Sequence, residues 1–258
     1  MSIHDIEELK AYKKSDVCVL LGSGTSINRI TDEEWKWIGK QDSWAVNNWV
    51  YHPFFVPNFY CIEVKKYNYE IIQRRLIEKK EQYKNTNFIF PKNKQINMAD
   101  GRVLRLRNVA GADNDVRIFE YRIVRVRDPR RTHKVFNADY GIPRLGCVKS
   151  YDMSMTVIFE LLYKMKYRKI VTWGIDLCDS KYFWGSGGPI YGEVHHLWNK
   201  QHEGKAPTAP HATHSIKNFI VDFNERWFRN NKTELYVGHS DTDFYPQIPY
   251  ISVGEEML

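Results

Sequence analysis

Short apolar runs, separated by stretches with helical spacing, restrict the fold of this chain more than any other feature of its sequence. In residues 16–22, Val-Cys-Val-Leu-Leu follow one another without a polar break. A continuous apolar run of this length is typical of a strand buried on both faces, as in a parallel sheet. Comparable runs occupy residues 43–47, 58–62, 87–90, 168–174 and 234–238.

Helices are predicted between these strands. Apolar side chains recur at helical spacing in residues 67–83, 150–165 and 214–230, and Ser150 is a suitable N-cap for the second helix. Strands that alternate with helices favour βαβ units. The sequence therefore predicts an α/β fold, a Rossmann-like, doubly wound and mostly parallel sheet, as one domain over residues 1–258.

Two segments depart from this alternation. Residues 102–108 and 116–127 each alternate apolar and polar side chains, which predicts a basic β-hairpin inserted within residues 91–140. Residues 176–213 are rich in Gly, Pro, His and aromatic side chains and have little periodicity. A long segment of this kind in a compact domain is usually functional, so we interpret it as a lid.

The charge and the cysteine content indicate which partners and which cellular compartment to expect for the protein. The 258 residues carry 38 basic and 31 acidic side chains, a net charge of +7 that favours an anionic partner. The four cysteines are widely spaced, which is typical of buried free thiols in a reduced compartment. Residues 1–16 are polar and no apolar run approaches the ~18 residues of a spanning helix. We expect a cytoplasmic protein without a membrane span.

Three polar features follow predicted strands at their carboxyl ends. They are residues 22–26 (Gly-Ser-Gly-Thr-Ser), the pair Asn47 and Asn48, and residues 174–176 (Gly-Ile-Asp). Ligands of doubly wound sheets bind at this edge, and glycines let backbone N–H groups approach a phosphate. The alternative for residues 22–26 is an ordinary glycine turn.

Two groups of residues could hold a metal ion. One is the histidines of the lid and its exit, His195, His196, His202, His211 and His214. The other is the Asp-x-Asp triplets at residues 113–115 and 241–243, although such triplets are common in turns. Because none of these has convincing ligand spacing, neither a metal nor another cofactor is predicted.

The order of these motifs resembles the bacterial sialyltransferases of glycosyltransferase family 42. The matching segments are residues 19–27 (Val-Leu-Leu-Gly-Ser-Gly-Thr-Ser-Ile), 46–48 (Val-Asn-Asn), 167–176 (Tyr-Arg-Lys-Ile-Val-Thr-Trp-Gly-Ile-Asp) and 211–215 (His-Ala-Thr-His-Ser). The chain is also similar to neighbouring prokaryotic glycosyltransferases and pterin pyrophosphokinase-like proteins. The match covers most of the chain except residues 91–140.

The resemblance implies a GT-A-like domain that transfers a sugar from a cytidine-type nucleotide sugar, with inversion and without metal. It implies that His214 is the catalytic base and that Tyr182 binds the leaving phosphate. The donor-binding positions that it implies are Gly22, Ser23, Gly24, Thr25, Ser26, Asn47 and Asp176.

Three positions limit what the resemblance can specify. Ser23 stands where the family has a phosphate-contacting asparagine, and Cys178 stands where it has its first tyrosine, so the sugar and the nucleotide are left open. The family also has an arginine for which Arg144 is the candidate, but the alignment register at this position is not fixed. General chemistry agrees with the role implied for His214. An imidazole with a pKa of ~6.5 is suited to removing the proton from an acceptor hydroxyl.

Arginines concentrate in the predicted hairpin and suggest the acceptor. Period 2 would place five of them on one face, which is suited to phosphate groups. They are Arg105, Arg107, Arg117, Arg125 and Arg127. The prediction is a polyanionic acceptor such as a hydroxylated base in DNA, with a glycan as the rival and a solvated strand face as the plain alternative.

Two other functions remain open from the sequence. One is a nucleic-acid-binding module that keeps the fold without the chemistry, since a fold does not decide function. The other is a pterin-type pyrophosphokinase, which would need ATP and Mg²⁺.

Overall fold

A computed structural model describes residues 2–63, 66–98, 100–111, 116–125, 147–150, 154–176, 183 and 216–253. Its strands are β1 (Ser2–Asp5), β2 (Val17–Leu21), β3 (Asp42–Val46), β4 (Phe59–Cys61), β5 (Asn87–Pro91), β6 (Gln95–Asn97), β7 (Val103–Arg105), β8 (Arg117–Arg125), β9 (Cys147–Ser150), β10 (Lys169–Trp173) and β11 (Glu234–Val237). Its α-helices are α1 (Asp32–Ile38), α2 (Lys66–Glu78), α3 (Lys80–Tyr83), α4 (Ser154–Met165) and α5 (Ile216–Phe223).

Shorter helical turns complete these elements. The 3-10 helices are Ile6–Tyr12, Thr25–Arg29, Asn47–Tyr51, Leu106–Ala110 and Arg229–Asn231. A π-helix, Asn224–Phe228, extends α5.

The main sheet has nine strands, eight of them in the order β1-β8-β5-β4-β3-β2-β10-β11, and β9 pairs with the end of β8. Every pairing in this sheet between described strands is parallel. The chain starts the central part of the sheet at β2, continues outward through β3, β4 and β5, and later returns to the other side of β2 with β10. The predicted α/β, mostly parallel sheet is confirmed.

Both faces of the sheet are covered. On one face, Cys18 and Leu20 of β2 pack with α4 and α5; on the other, Val19 and Leu21 pack with α1 and α2. Every second residue of β2 therefore meets a different apolar layer. This explains why the sequence of β2 is apolar throughout rather than alternating.

The predicted basic hairpin is wrong in its pairing. β7 pairs antiparallel with β6, while β8 lies inside the main sheet between β5 and β1. Charged residues of β8 interrupt its apolar ones: Glu120 forms an ion pair with Arg107, whereas Arg122 is exposed. This alternation belongs to a strand of the main sheet and not to a hairpin arm.

The beginning of the chain and the entry to α4 also differ from expectation. No element was predicted for residues 2–12, and they form β1 and a 3-10 helix with a capping box at Asp5. Ser150 ends β9 and is not the N-cap of a helix, because α4 begins at Ser154. The predicted lid, residues 176–213, lies outside the described residues except for Asp176 and Phe183.

Candidate functional site

The carboxyl ends of β2 and β10 meet where the strand order reverses. The backbone N–H of Gly22 donates to Trp173 O at 2.7 Å, and that of Gly24 donates to Gly174 O at 2.7 Å. A Cβ at Gly22 would lie 2.7 Å from the carbonyl carbon of Gly174, so glycine is required for this close approach. A reversal of this kind opens the crevice in which doubly wound proteins bind ligands.

A buried pair of side chains joins the two loops. Ser26 donates from its hydroxyl to Asp176 Oδ1 at 2.5 Å and from its backbone N–H to Asp176 Oδ2 at 2.9 Å. The Ser26 hydroxyl also accepts from the N–H of Gly174 at 2.9 Å. Ser26 and Asp176 are 3% and 6% exposed. Asp176 therefore fixes the shape of residues 22–26 from the neighbouring strand.

This pairing changes how the loop could bind a phosphate. The N–H groups of Gly22, Gly24 and Ser26 already donate within the protein. The predicted cradle of backbone N–H groups is therefore reduced, and the hydroxyls of the half-buried Ser23 and Thr25 become the donors of interest. Asp176 acts on the loop as a positioning residue.

Asn47 lies at the carboxyl end of the next strand, β3. Its φ of +46° is in the left-handed region, which asparagine tolerates better than most residues. Its Oδ1 accepts from the N–H of Glu63 at 2.8 Å, and its carbonyl accepts from the Tyr60 hydroxyl. The side-chain oxygen of Asn47 is therefore the atom that faces the backbone of Glu63, and its Nδ2 is the donor of the same amide. Asn47 thus links the ends of β3 and β4.

Glu63 is a functional candidate that sequence reasoning missed. It follows β4 by two residues and is half-buried. The hydroxyl of Tyr121, on β8, donates to Glu63 Oε1 at 2.6 Å. Burial raises the pKa of Tyr121 well above its usual value, which keeps this hydroxyl protonated as a donor. The sequence signal that could have identified Glu63 is an acidic residue directly after a predicted buried strand.

An aromatic cluster connects the loop to the helix after β3. The imidazole of His52 stacks on Trp49 with ring centroids 4.7 Å apart, and Phe183 packs against both rings. Phe183 also donates its N–H to Ser23 O at 3.0 Å. Burial, with a smaller contribution from Lys79, lowers the pKa of His52 to about 4, so this histidine is neutral near pH 7.

The second Asp-x-Asp triplet supports the site rather than forming a separate one. The N–H of Asp243 and the hydroxyl of Thr242 both donate to Asp176 O. Asp241 forms an ion pair with Arg29 at 2.7 Å. Residues 241–243 therefore brace the end of β10, beside the 3-10 helix that carries Arg29.

Four of the five arginines predicted for the acceptor are described, and they lie on three different elements. Arg107 is in a 3-10 helix and binds Glu120 at 2.9 Å, and Arg105 is exposed at the end of β7. Arg117 and Arg125 stand at opposite ends of β8, roughly 26 Å apart at the rise of a strand. Arg117 lies over the ring of Tyr12. The interpretation as one hairpin strip is wrong, because β8 is a strand of the main sheet.

Several predicted residues lie outside the part of the chain that the structure describes. They are Asp113, Asp115, Arg127, Arg144, Cys178, Tyr182, His195, His196, His202, His211 and His214. Within the described residues, no three His, Cys, Asp or Glu side chains form a group that could hold a metal ion. No helix among those residues has the length and apolar character needed to cross a membrane.

No known family model and no curated protein matches this sequence. The described part of the candidate site is thus defined by its own geometry. It comprises residues 22–26, Asn47, Glu63 and Asp176, on the adjoining carboxyl ends of β2, β3, β4 and β10.

Proposed function

We propose that this chain is a nucleotide-sugar-dependent glycosyltransferase whose donor binds across the carboxyl ends of β10, β2 and β3. The observation that supports this most is the meeting of residues 22–26 with Asp176 at the reversal of strand order. Open α/β sheets bind nucleotides in that crevice. The choice of sugar transfer rests on the motif order shared with the sialyltransferase family.

The proposed reaction is a single displacement. An imidazole nitrogen of His214 removes the proton from the acceptor hydroxyl as that oxygen attacks the anomeric carbon of the donor. The bond between the anomeric carbon and the phosphate oxygen breaks, and the nucleotide leaves with the electron pair. Configuration is inverted, and the proton remains on His214 until solvent removes it. Tyr182 is proposed to donate a hydrogen bond to the leaving phosphate.

Residues of the described site hold the donor in this proposal. The hydroxyls of Ser23 and Thr25 bind its phosphate, and Asp176 keeps their loop in place through Ser26. The proposal concerns the donor. Among the described arginines that suggested a DNA acceptor, Arg107 is paired with Glu120, and Arg117 and Arg125 lie at opposite ends of β8, so these residues carry no argument for the acceptor.

A thermal-shift screen against CMP, UMP and GMP and their sugar-linked forms tests the proposal. A ligand at one hundred times its Kd stabilises the native state by about 2.7 kcal/mol, which raises Tm by roughly 5–10 °C in a chain of this size. We expect such a rise with at least one nucleotide sugar. Its loss in Ser23→Ala/Thr25→Val, but not in Ser240→Ala at an exposed turn, would assign the effect to the loop. No shift with any of them would contradict the proposal.

A further inference from the structure

Two basic residues lie next to each other on β8 and on the turn that follows β5. Lys92 comes directly after Pro91, the last partner of Tyr121 in the parallel pairing of these strands, and its backbone N–H donates to Tyr121 O at 2.7 Å. Arg122 is the next residue of β8. The Cα atoms of Lys92 and Arg122 are therefore one strand spacing apart, about 4.8 Å.

The alternation of side chains along the two strands places both residues on the same face of the sheet. Lys92 lies two residues after Phe90, and Arg122 lies four residues after Ile118. Phe90 and Ile118 belong to the same apolar layer, and an even offset along a strand keeps a side chain on the same face. Lys92 and Arg122 are both exposed.

These two positive charges are not balanced by an acid in the described part of the chain. Neither cation forms an ion pair with another described residue. Glu120, on the same face of β8, is paired with Arg107 at 2.9 Å, and Glu63 accepts from Tyr121, whose ring packs in the layer of the opposite face. Because like charges at neighbouring strand positions repel, we expect the pair to destabilise the protein until an anion binds to it.

A phosphate monoester matches this pair of cations. Near pH 7 it carries roughly 1.5 to 2 negative charges and three terminal oxygens. The guanidinium of Arg122 can bind two of these oxygens as a fork, and the ammonium of Lys92 can bind the third as a point charge. A phosphodiester or a carboxylate has a single negative charge, which would leave one of the two cations without a counter-ion.

Lys94 adds positive charge on the side that faces the candidate site. It is half-buried in the turn after β5. Burial raises the pKa of the Cys61 thiol at the end of β4, and the charge of Lys94 opposes that rise. The positive potential therefore extends from β5 toward β4.

The pair lies at the same edge of the sheet as residues 22–26 but too far away to share one phosphate group with them. The strands β2 and β5 are separated by β3 and β4, so three strand spacings, about 14 Å, lie between the loop and Lys92. Both places follow carboxyl ends, because these strands are parallel. The pair is thus suited to a second anionic group.

We propose that Lys92 and Arg122, with Lys94 beside them, form a second anion site that binds a phosphate monoester group. Binding of this group requires no part of the proposed function. In the proposed glycosyltransferase, the group would belong to the acceptor, and that assignment alone rests on the proposed function. Phosphate binding and nucleotide-sugar binding can therefore fail separately.

Thermal unfolding in inorganic phosphate, compared with sodium chloride at matched ionic strength, tests the site. The parent protein is Ser23→Ala/Thr25→Val, so that the proposed donor loop contributes little to phosphate binding. At about ten times its Kd, phosphate should raise Tm by roughly 3–6 °C over chloride. Lys92→Met and Arg122→Met should each raise the Kd about tenfold or more and remove most of this rise.

The same variants have an opposite effect without phosphate. At low salt in chloride, we expect Lys92→Met and Arg122→Met to unfold at the same temperature as the parent or slightly above it, because each removes the repulsion between the two cations. A lower Tm in chloride for both variants would show that the two cations are structural, and it would overturn the proposal.

A double variant at the opposite edge of the molecule supplies the control. Lys40→Met/Arg226→Met changes the net charge as much as Lys92→Met/Arg122→Met does, and both of its positions are exposed. It should keep the phosphate effect. Methyl phosphate should act like inorganic phosphate, whereas dimethyl phosphate, with one charge, should have little effect.

Four results would overturn the proposal. They are no rise of Tm in phosphate for the parent, the full rise in Lys92→Met/Arg122→Met, an equal loss of the rise in the control, and an equal response to dimethyl phosphate. Each of these results leaves the donor site untouched, because that site is tested with nucleotide sugars and the wild-type protein.

Discussion

Ser26 and Asp176 are 150 positions apart in the chain, yet both carboxylate oxygens of Asp176 accept from Ser26. This contact joins the first loop of the central sheet to the strand at which the sheet order reverses. It fixes the loop through contacts within the protein. The proposed donor site is therefore shaped by a buried interaction between two neighbouring strands.

We expect removal of that interaction to destabilise the protein. Asp176→Ala leaves the buried N–H and hydroxyl of Ser26 without their acceptor, which should lower the free energy of unfolding by roughly 1–3 kcal/mol. Urea denaturation of Asp176→Ala, Ser26→Ala and the double variant measures the coupling. A coupling energy of at least ~0.5 kcal/mol is predicted. Strictly additive losses would mean that the contact contributes little.

Gly24→Ala should destabilise the loop even without a nucleotide. A Cβ at this position would overlap Asp176 Oδ2 and lie 2.7 Å from its Cγ, so overpacking should cost about 1–3 kcal/mol. Gly39→Ala is the matched control, because its φ of −62° suits alanine and its Cβ would lie 3.4 Å from the nearest atom. Denaturation midpoints compare the two. Similar midpoints for both variants would show that the loop adapts easily.

His52 should make the protein less stable in mild acid. Its pKa is about 4 in the fold, below the value of 6.5 for an exposed histidine, so between these values the unfolded chain binds more protons. The stabilisation is full above pH 6.5 and is lost as the pH falls toward 4, by at most about 3 kcal/mol. We expect His52→Gln to flatten the fall in unfolding free energy between pH 6.5 and 4.5. His239→Gln, at a partly exposed histidine, serves as the control, and an equal flattening there would argue against the assignment.

The central strands could be predicted because burial on both faces leaves a local pattern in the sequence, a continuous apolar run. The apolar runs that became β2 and β10 reflect coverage on both faces, and glycines mark where Gly22 and Gly174 approach each other. Pairing across the sheet could not be predicted in the same way. β8 resembled a hairpin arm because charged residues such as Glu120 interrupt its apolar ones, whereas its strand partners, β5 and β1, are set by the order of the whole sheet.

The sequence predicted which positions form the candidate site, but it did not predict which of their side chains contact each other. Residues 22–26, Asn47 and Asp176 do lie at adjoining carboxyl ends, since strand ends can be read from apolar runs. What the sequence could not reveal is that Asp176 turns toward Ser26, or that Asn47 holds Glu63. Both contacts depend on which strands are neighbours.

Metal removal should leave sugar transfer intact. The prediction follows from the proposed mechanism, in which His214 and Tyr182 act without a metal ion. Product formation in EDTA should match that of the untreated protein within about twofold, far less than the 10²-fold or larger loss expected for an essential catalytic group. Loss of activity that Mg²⁺ or Mn²⁺ restores would direct attention to Asp113 and Asp115.

The most direct test of the proposed function is turnover of a panel of CMP-, UDP- and GDP-linked sugars, followed by release of the nucleotide. We expect one donor class to be consumed by the wild-type protein. His214→Ala should lower that rate by about 10² to 10⁴ while leaving donor affinity within a few-fold, because it removes only the base. His4→Ala, in the edge strand β1, should behave like the wild type. Binding without turnover by the wild-type protein, or an unchanged rate in His214→Ala, would contradict the proposed glycosyl transfer.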